Sequence, residues 1–221
     1  MSKLKNFVQD LHNSTKRNYL ERMSNDKSKC MKVAREFGKD FWDGERKYGY
    51  GGYKYIEDYW ENVAINFIKN YKLNNTSKVL DVGCGKGFLL YEIKKILPGI
   101  SICGFDISEY AIKNSKKEIK DNLFVYDAGK KYPFSNNYFD LALSLATLHN
   151  LEINNLQISL SEIDRVSKNS YLMVESYRNE NELFNLQCWA LTCKAFFSLN
   201  EWLWLFKQFN YNGDYEFIYF E

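Results

Sequence analysis

The sequence is short of prolines, histidines and long apolar runs. Of its 221 residues, two are proline and two are histidine, so few elements are interrupted and few imidazoles are available for catalysis. No stretch reaches the roughly 20 apolar residues that a membrane-spanning helix needs. The N-terminal segment MSKLKNFVQDLHNSTKR has no continuous apolar part typical of a secretory signal. We therefore expect a protein with neither a membrane span nor an export signal.

The cysteines are sparse and irregularly spaced. There are five, namely Cys30, Cys84, Cys103, Cys188 and Cys193. An odd number argues against a disulfide framework, and the lack of a C-x-x-C pair argues against zinc. We therefore expect free thiols, no metal site and a location in the reducing cytoplasm.

The net charge is small but unevenly distributed. The whole chain carries a formal charge of +2, whereas residues 1–47 hold 12 Lys and Arg against 7 Asp and Glu. A basic arm suits an anionic substrate or a nucleic acid, and a solvated helical face has the same composition. Composition alone leaves both interpretations open.

The length and the 45% of apolar residues suit one α/β domain with a modest appendage. Residues 1–60 combine amphipathic helical patterns with the segment YGYGGYKY at 48–55, and we expect them to form a helical arm or lid. The glycines of that segment predict a loop, which either closes as a mobile lid or packs on its own rings. Residues 61–221 are expected to form the main domain.

From Lys78 onwards, strand and helix patterns alternate. The predicted strands are KVLDVG, ISICGFD, LFVYDA, YFDLALSL, SYLMVESY and DYEFIYFE. A capping box, Ser198 with Glu201, predicts the start of the last helix. Strands separated by helices predict a doubly wound, Rossmann-like α/β fold with a parallel sheet. In such folds ligands bind beyond the carboxyl ends of the strands.

The first strand–helix turn, VLDVGCGKGF, places three glycines beside a carboxylate. Gly83, Gly85 and Gly87 form G-x-G-x-G, not the dinucleotide fingerprint G-x-G-x-x-G. Asp81 at the strand end would repel a pyrophosphate seated on the helix N-terminus. A Walker loop is excluded because Lys86 is followed by glycine instead of Ser or Thr. The pattern suits an adenosine ligand with a cationic tail, such as S-adenosylmethionine.

Two further acids follow the next two strands. Asp106 ends the second strand in GFDIS, where acidic residues of nucleotide-binding folds accept hydrogen bonds from ribose hydroxyls. Asp127 and Ala128 end the third strand, where an adenine edge would lie. Three strand-end acids favour a cofactor site over the alternative that the glycines merely permit close strand–helix packing.

Together these motifs resemble the class I S-adenosylmethionine-dependent methyltransferases, in particular small-molecule enzymes such as those of quinone biosynthesis. The match runs through LDVGCGKG, GFDIS, DAGKKYPFSNNYFDLALS and LHN, roughly residues 78–174. The resemblance implies a seven-stranded, mostly parallel sheet whose last strand, EFIYF, is antiparallel. It also implies S-adenosylmethionine as cofactor, held by Asp81, Gly83, Gly85, Gly87, Asp106, Ile107, Asp127, Ala128 and Leu145.

The acceptor of the methyl group is less clearly indicated. LATLHN replaces the D/N/S-P-P-Y/F/W signature of amino methylation in nucleic acids, and no cysteine follows a proline as C5-pyrimidine methylation requires. His149, after the fourth strand, is predicted to be a general base or a residue lining the methionine pocket. His12 is a second candidate catalytic residue if the arm folds over the site.

The residues predicted to bind the acceptor lie in the arm, in the Tyr/Gly loop and after the fifth strand: Arg17, Tyr19, Tyr50, Tyr53, Glu175, Tyr177 and Arg178. We expect a small acceptor, anionic or sugar-like, methylated at oxygen, as in the surface-polysaccharide methyltransferases that the arm resembles. An RNA or protein methyltransferase docking through the basic arm and a non-catalytic cofactor-binding module are the alternatives. Nucleic acid is not the expected partner, a membrane is not expected, and a homodimer is the expected assembly if the chain associates.

Overall fold

A computed structural model describes residues 3–51 and 53–221; Met1 and Ser2 of the predicted arm and Gly52 of the predicted loop lie outside the described residues. The α-helices are α1 (Gln9–Asn13), α2 (Tyr19–Ser24), α3 (Lys27–Ala34), α4 (Lys39–Asp43), α5 (Glu61–Tyr71), α6 (Phe88–Ile96), α7 (Glu109–Lys113), α8 (Ile153–Val166), α9 (Glu180–Trp189) and α10 (Leu199–Gln208). The strands are β1 (Lys78–Val82), β2 (Ser101–Asp106), β3 (Leu123–Val125), β4 (Leu141–Leu145), β5 (Ser170–Glu175) and β6 (Asp214–Ile218). Short 3₁₀ helices cover Arg46–Tyr48, Lys117–Asn122 and Leu148–Asn150. Within this part of the chain, no helix is both long and apolar enough to cross a bilayer.

The strands form one sheet in the order β3-β2-β1-β4-β5-β6. Strand order reverses between β1 and β4, which makes the crevice above them the expected ligand site. One apolar core contains Leu160 of α8 and Trp202 of α10. A second core contains Phe67 of α5 and Leu90 of α6. Helices therefore pack on both faces, and the prediction of a doubly wound α/β fold is confirmed.

The predicted seventh strand and antiparallel last strand are wrong for the described residues. β6 runs parallel to β5, with Tyr171 opposite Asp214 and Glu175 opposite Ile218. The connection between them contains α9 and α10. A helical crossover of this kind returns the chain to the amino edge of the sheet, so the next strand runs in the same direction as the last.

The N-terminal arm is attached to β6. Leu4 forms a parallel bridge with Tyr215 on the outer edge of that strand. Glu216 accepts hydrogen bonds from the N–H groups of Phe7 (2.6 Å), Val8 (2.9 Å) and Gln9 (2.8 Å). These donors at the start of α1 would otherwise lack partners. The carboxylate therefore anchors the arm where it crosses toward the carboxyl ends of the strands.

Candidate active site

A cavity of about 750 Å³ lies beyond the carboxyl ends of the strands and extends under the arm. It brings together most of the predicted site residues, namely Asp81, Gly83, Gly85, Asp106, Ile107, Asp127, Ala128, Leu145, His149, His12, Arg17, Tyr50, Tyr53 and Glu175. It does not include Gly87, Tyr19, Tyr177 or Arg178.

The backbone N–H groups of the glycine turn donate hydrogen bonds to other groups of the protein. The N–H groups of Gly83 and Cys84 donate to the Phe105 carbonyl at 2.8 and 3.0 Å. The Gly85 N–H donates to Asp106 Oδ2 at 2.9 Å. Because these donors are already paired, the turn does not present the array of free N–H groups by which phosphate-binding turns hold their ligand.

Two glycines of this turn meet different neighbours. A Cβ on Gly85 would lie 2.8 Å from the Trp42 ring, so this glycine lets an arm side chain approach the turn. A Cβ on Gly87 would lie 2.7 Å from Ile119 and 2.8 Å from Leu123, both in the protein interior. Gly87 thus permits close packing of α6 and does not line the cavity.

Asp81 is a buried carboxyl without a protein partner. It is 5% exposed, and no donor among residues 3–51 and 53–221 lies within hydrogen-bond distance of its side chain. Burial, and to a lesser degree Asp106, raises the pKa of Asp81 to about 8. A cationic ligand group would compensate this carboxylate, whereas a phosphate would oppose it. The site therefore fits the ammonium-bearing end of S-adenosylmethionine.

The other two strand-end acids are held by backbone donors. Asp106 Oδ1 accepts from the Ser108 N–H at 2.8 Å, and its Oδ2 accepts from Gly85. Asp127 Oδ1 accepts from the Gly129 N–H at 2.8 Å. Each carboxylate oxygen has a second lone pair for a ligand hydroxyl or amino group. Both side chains are thus oriented before any ligand binds.

The arm closes over this part of the cavity. Trp42 Nε1–H donates to Ser108 Oγ at 2.8 Å and to the Phe37 carbonyl at 3.1 Å. The adjacent Asp43 forms an ion pair with Lys86 of the glycine turn at 2.7 Å. Lys86 is largely buried. These contacts fasten α4 to the turn.

The two tyrosines of the Tyr/Gly loop have packing partners. The Tyr50 hydroxyl accepts from the N–H groups of Leu191 (2.7 Å) and Thr192 (3.1 Å). The Tyr53 ring lies 4.5 Å from the Trp42 ring, centroid to centroid. Both rings line the cavity while joining the loop to its neighbours.

Both histidines have their ring nitrogens engaged. His149 Nδ1 accepts from the Glu175 N–H at 3.3 Å, so the ring proton lies on Nε2, 3.5 Å from Glu175 Oε2. His12 Nδ1 accepts from Arg17 Nη2 at 3.1 Å, and its Nε2–H donates to the Tyr219 carbonyl at 2.8 Å. Burial lowers the pKa of His149 to about 3, and burial together with Arg17 lowers that of His12 to about 4. Neither ring has a free lone pair, which is unfavourable for the base roles predicted for them.

Three buried polar atoms that line the cavity lack a partner among the described residues: Glu175 Oε2, Arg17 Nε and Asn150 Oδ1. Burial raises the pKa of Glu175 to about 7, against the opposing effect of Arg17 and Lys27. Glu175 ends β5, two strands from β1, which corresponds to about 10 Å at the usual strand spacing. Glu175 is thus well separated from Asp81 along the edge of the sheet.

The remaining predicted residues lie outside the cavity. Arg178 pairs with Glu182 and Glu221 on the surface. The Tyr19 hydroxyl donates to the Glu221 carbonyl at 3.1 Å, and Tyr177 packs against the apolar cluster around Trp189. These three side chains are therefore not placed to contact a ligand in this cavity.

Several cavity residues were not predicted from the sequence: Phe37, Trp42, Asn150, Trp189 and Phe220. Asn150 follows His149 in LHN, so its position next to a predicted site residue was the available signal. The aromatic residues belong to no local motif, and they come from separate parts of the chain: Phe37 and Trp42 from the arm, Trp189 from α9 and Phe220 from the segment after β6.

A family model described as "Methyltransferase domain" matches residues 73–212, more than half of the chain. The mouse mitochondrial arginine-hydroxylase NDUFAF5 is 32% identical over 109 residues, 49% of this chain and 31% of that protein. The ribosomal RNA small subunit methyltransferase C of Buchnera aphidicola is 34% identical over 97 residues, 41% of this chain and 26% of that protein. The chain thus spans about a third or less of these two relatives.

A solved structure shares the fold. The YcgJ protein of Bacillus subtilis superposes with a TM-score of 0.53 at 19% identity, covering 66% of each chain. The matched family region contains the glycine turn, the three acids and β1 to β5 of the sheet that positions them. The chain therefore belongs to the methyltransferase-domain family.

Proposed function

We propose that this enzyme methylates a hydroxyl oxygen of a small metabolite, such as a sugar derivative, with Glu175 as the general base. The observation that carries the proposal is a buried carboxyl oxygen in the cavity wall, Glu175 Oε2, which accepts no hydrogen bond from the described residues and has His149 Nε2 at 3.5 Å. A base is most effective when its pKa lies near the working pH, and burial raises the pKa of Glu175 to about 7.

When bound, S-adenosylmethionine supplies an activated methyl group. The protein's task is mainly to align that methyl group with the acceptor. We assign Asp81 to the ammonium group and Asp106 to the ribose hydroxyls. Asp127 and Ala128 are assigned to the adenine edge. The hydrogen bonds that hold Asp106 and Asp127 in place support these assignments.

Glu175 would accept the hydroxyl proton as the acceptor oxygen attacks. The Nε2 atom of His149 lies 3.5 Å from Glu175 Oε2 and carries a proton, so it would orient the carboxylate. His149 therefore supports the base and does not act as one.

The enclosure of the cavity supports a small acceptor. Its volume of about 750 Å³ is within the roughly 300–1,000 Å³ common for small-ligand sites. The arm covers the cavity through Trp42 and the Asp43–Lys86 pair. On the Glu175 side the arm contributes His12 and Arg17 to the cavity wall, so a bulky acceptor would have to displace the arm.

An RNA acceptor is the competing proposal, since one relative is named as a ribosomal RNA methyltransferase. The cations of the arm weigh against it. Arg22 donates to the carbonyls of Trp189, Arg46 and Gly49. Lys27 donates to the Cys188 carbonyl at 2.6 Å. Part of the basic charge therefore stabilises the arm and is not available to a phosphate backbone.

One labelling experiment distinguishes a small-metabolite acceptor from an RNA acceptor. The enzyme is incubated with methyl-labelled S-adenosylmethionine and either a small-metabolite extract or total RNA. We expect label in the metabolite fraction, in a product that survives mild alkali because a methyl ether does not hydrolyse as a methyl ester does. Label only in RNA, lost steeply as salt is raised, would replace this proposal with the RNA alternative.

A further inference from the structure

We infer that the acceptor carries an anionic group, a carboxylate or a phosphate, that binds Arg17, and that His12 is the residue that positions Arg17. This inference rests on the proposed function, because it concerns the same acceptor site.

The Arg17 guanidinium is held in a fixed position. It lies over the rings of Trp189 and Phe220, 5.4 and 5.3 Å from their centroids. It donates to the Thr15 carbonyl at 3.0 Å and to the carbonyl and Nδ1 of His12, both at 3.1 Å. The Nε–H is left without a partner although it is buried.

No carboxylate of the described chain lies within ion-pair distance of Arg17. Other arginines differ: Arg165 pairs with Glu162, and Arg178 with Glu182. The hydrogen-bond partners of Arg17 in the described chain are neutral, and Glu175 acts on it only from beyond ion-pair distance. Arg17 is half-buried and lines the cavity, and a cation that has lost part of its hydration is costly without a close counterion. An anion in the cavity would supply that counterion.

His12 fixes the direction of the Arg17 side chain. Its neutral ring accepts from Arg17 on one nitrogen and donates to Tyr219 on the other. The ring also packs edge-on against Phe220, with centroids 5.0 Å apart. Because burial and Arg17 lower the pKa of His12 to about 4, the ring stays neutral near pH 7 and can keep its accepting nitrogen toward the guanidinium.

The geometry favours the acceptor over the cofactor as the source of the anion. Arg17 lies close enough to Glu175, at the end of β5, to lower the pKa of that carboxyl, whereas the charged group that acts on Asp81 in β1 is Asp106. Once an anion has paired with Arg17, Glu175 Oε2 still lacks a hydrogen-bond donor in the described chain. An ionised carboxylate oxygen can only accept hydrogen bonds, so the bound molecule must supply a donor such as a hydroxyl. A hydroxylated anion satisfies both unpartnered groups at once.

The first test uses the labelled product from the metabolite extract. We expect the label to bind an anion-exchange resin at pH 8. If phosphatase treatment releases it, the anion is a phosphate monoester; if binding persists, prior treatment with phosphodiesterase separates a phosphodiester, which is then released, from a carboxylate, which is not. Label that flows through the untreated resin would overturn the inference and leave the proposed function intact. Absence of label from small metabolites would contradict the proposed function, and the inference would fall with it.

The second test compares Arg17→Met with Lys16→Met, an exposed neighbour that loses the same charge. With the labelled acceptor, we expect Arg17→Met to raise KM roughly 30-fold or more, the scale of losing one member of a buried charge pair. Lys16→Met should change KM less than twofold. An Arg17→Met variant with unchanged KM, or one in which only the affinity for S-adenosylmethionine falls, would overturn the assignment.

The role of His12 is tested by His12→Ala and His12→Gln. A glutamine amide can accept from Arg17 and donate to Tyr219, whereas alanine can do neither. We expect His12→Ala to raise KM with little change in kcat, and His12→Gln to restore most of the loss. Equal loss in both variants, or loss in kcat alone, would contradict a positioning role.

Discussion

On the β1–β3 side of the cavity, Asp106 and Asp127 accept hydrogen bonds from nearby backbone N–H groups before any ligand arrives. On the β4–β6 side, Glu175, Arg17 and Asn150 each keep a buried polar atom without a partner in the described chain. Both sets of side chains line one cavity. On the first side Asp81 alone of the three acids has no partner in the described chain, whereas on the second side all three of these groups keep an unpaired atom.

This difference separates binding of the cofactor from selection of the acceptor. An unsatisfied buried polar atom costs about 1–3 kcal/mol, so groups of this kind in a native structure call for an explanation such as a bound ligand. The β1–β3 side is organised in advance for one constant ligand. The β4–β6 side is completed by the acceptor. Substitutions on the β1–β3 side should therefore change the affinity for S-adenosylmethionine. Substitutions on the β4–β6 side should change kcat or the KM of the acceptor.

The largest expected effect is that of Glu175→Gln. The amide keeps the size of the side chain but cannot accept the acceptor proton, so we expect kcat to fall about 10²- to 10⁴-fold. The release of S-adenosylhomocysteine under saturating substrates measures this loss. Cofactor affinity should not change, and Glu180→Gln, an exposed position at the start of α9, is the control. Near-normal kcat in Glu175→Gln would remove Glu175 from the chemistry.

On the cofactor side, we expect Asp106→Ala to weaken binding of S-adenosylmethionine by about 1–3 kcal/mol, the scale of hydrogen bonds to a charged group. Titration calorimetry measures the change, with the exposed Glu109→Ala as control. Equal affinities of Asp106→Ala and the wild type would mean that the ribose lies elsewhere.

Cofactor affinity should also depend on pH through Asp81. Burial, and then Asp106, raises the pKa of Asp81 to about 8, so the unliganded carboxyl is mostly protonated at pH 7, whereas a bound ammonium group favours its ionised form. We expect affinity to rise up to about tenfold per pH unit from pH 6 to 8 and then level off. Proton release at pH 7, measured by calorimetry in two buffers, should accompany binding. Asp81→Asn should remove both effects, and a pH-independent wild type would contradict this role.

The two sides also differ in how far the sequence predicts them. Asp81, Asp106 and Asp127 lie near the carboxyl ends of β1, β2 and β3, so the strand–turn–helix pattern alone places them at one edge of the sheet. The other side joins Arg17 of the arm to Glu175 and to Phe220 near the end of the described chain. These residues are far apart in the sequence, so no local motif predicts that they come together.

The incorrect predictions, for the direction of the last strand and for the role of His149, have similar causes. The direction of β6 depends on where its crossover re-enters the sheet, and the string EFIYF is equally consistent with either direction. His149 accepts a hydrogen bond from the backbone N–H of Glu175. Nearly every residue has such an N–H group, so the sequence does not indicate this contact. Element positions were predicted well where the signal was local, as for the capping box of Ser198 and Glu201, which is present at the start of α10.

The smallest expected effect concerns the covering of the cofactor side by the arm. Asp43→Asn would weaken the pair with Lys86, which lies 2.7 Å away and is nearly buried, whereas Asp43 itself is partly exposed. We expect S-adenosylhomocysteine to dissociate about two- to fivefold faster, since partly exposed ion pairs contribute about 1 kcal/mol or less. Stopped-flow fluorescence can follow the release, because Trp42 lies against the glycine turn. Asp40→Asn, an exposed change in the same helix α4, should leave the rate unchanged. If both variants release the product at the wild-type rate, the Asp43–Lys86 pair does not control the cofactor side, and the arm would serve the acceptor side alone.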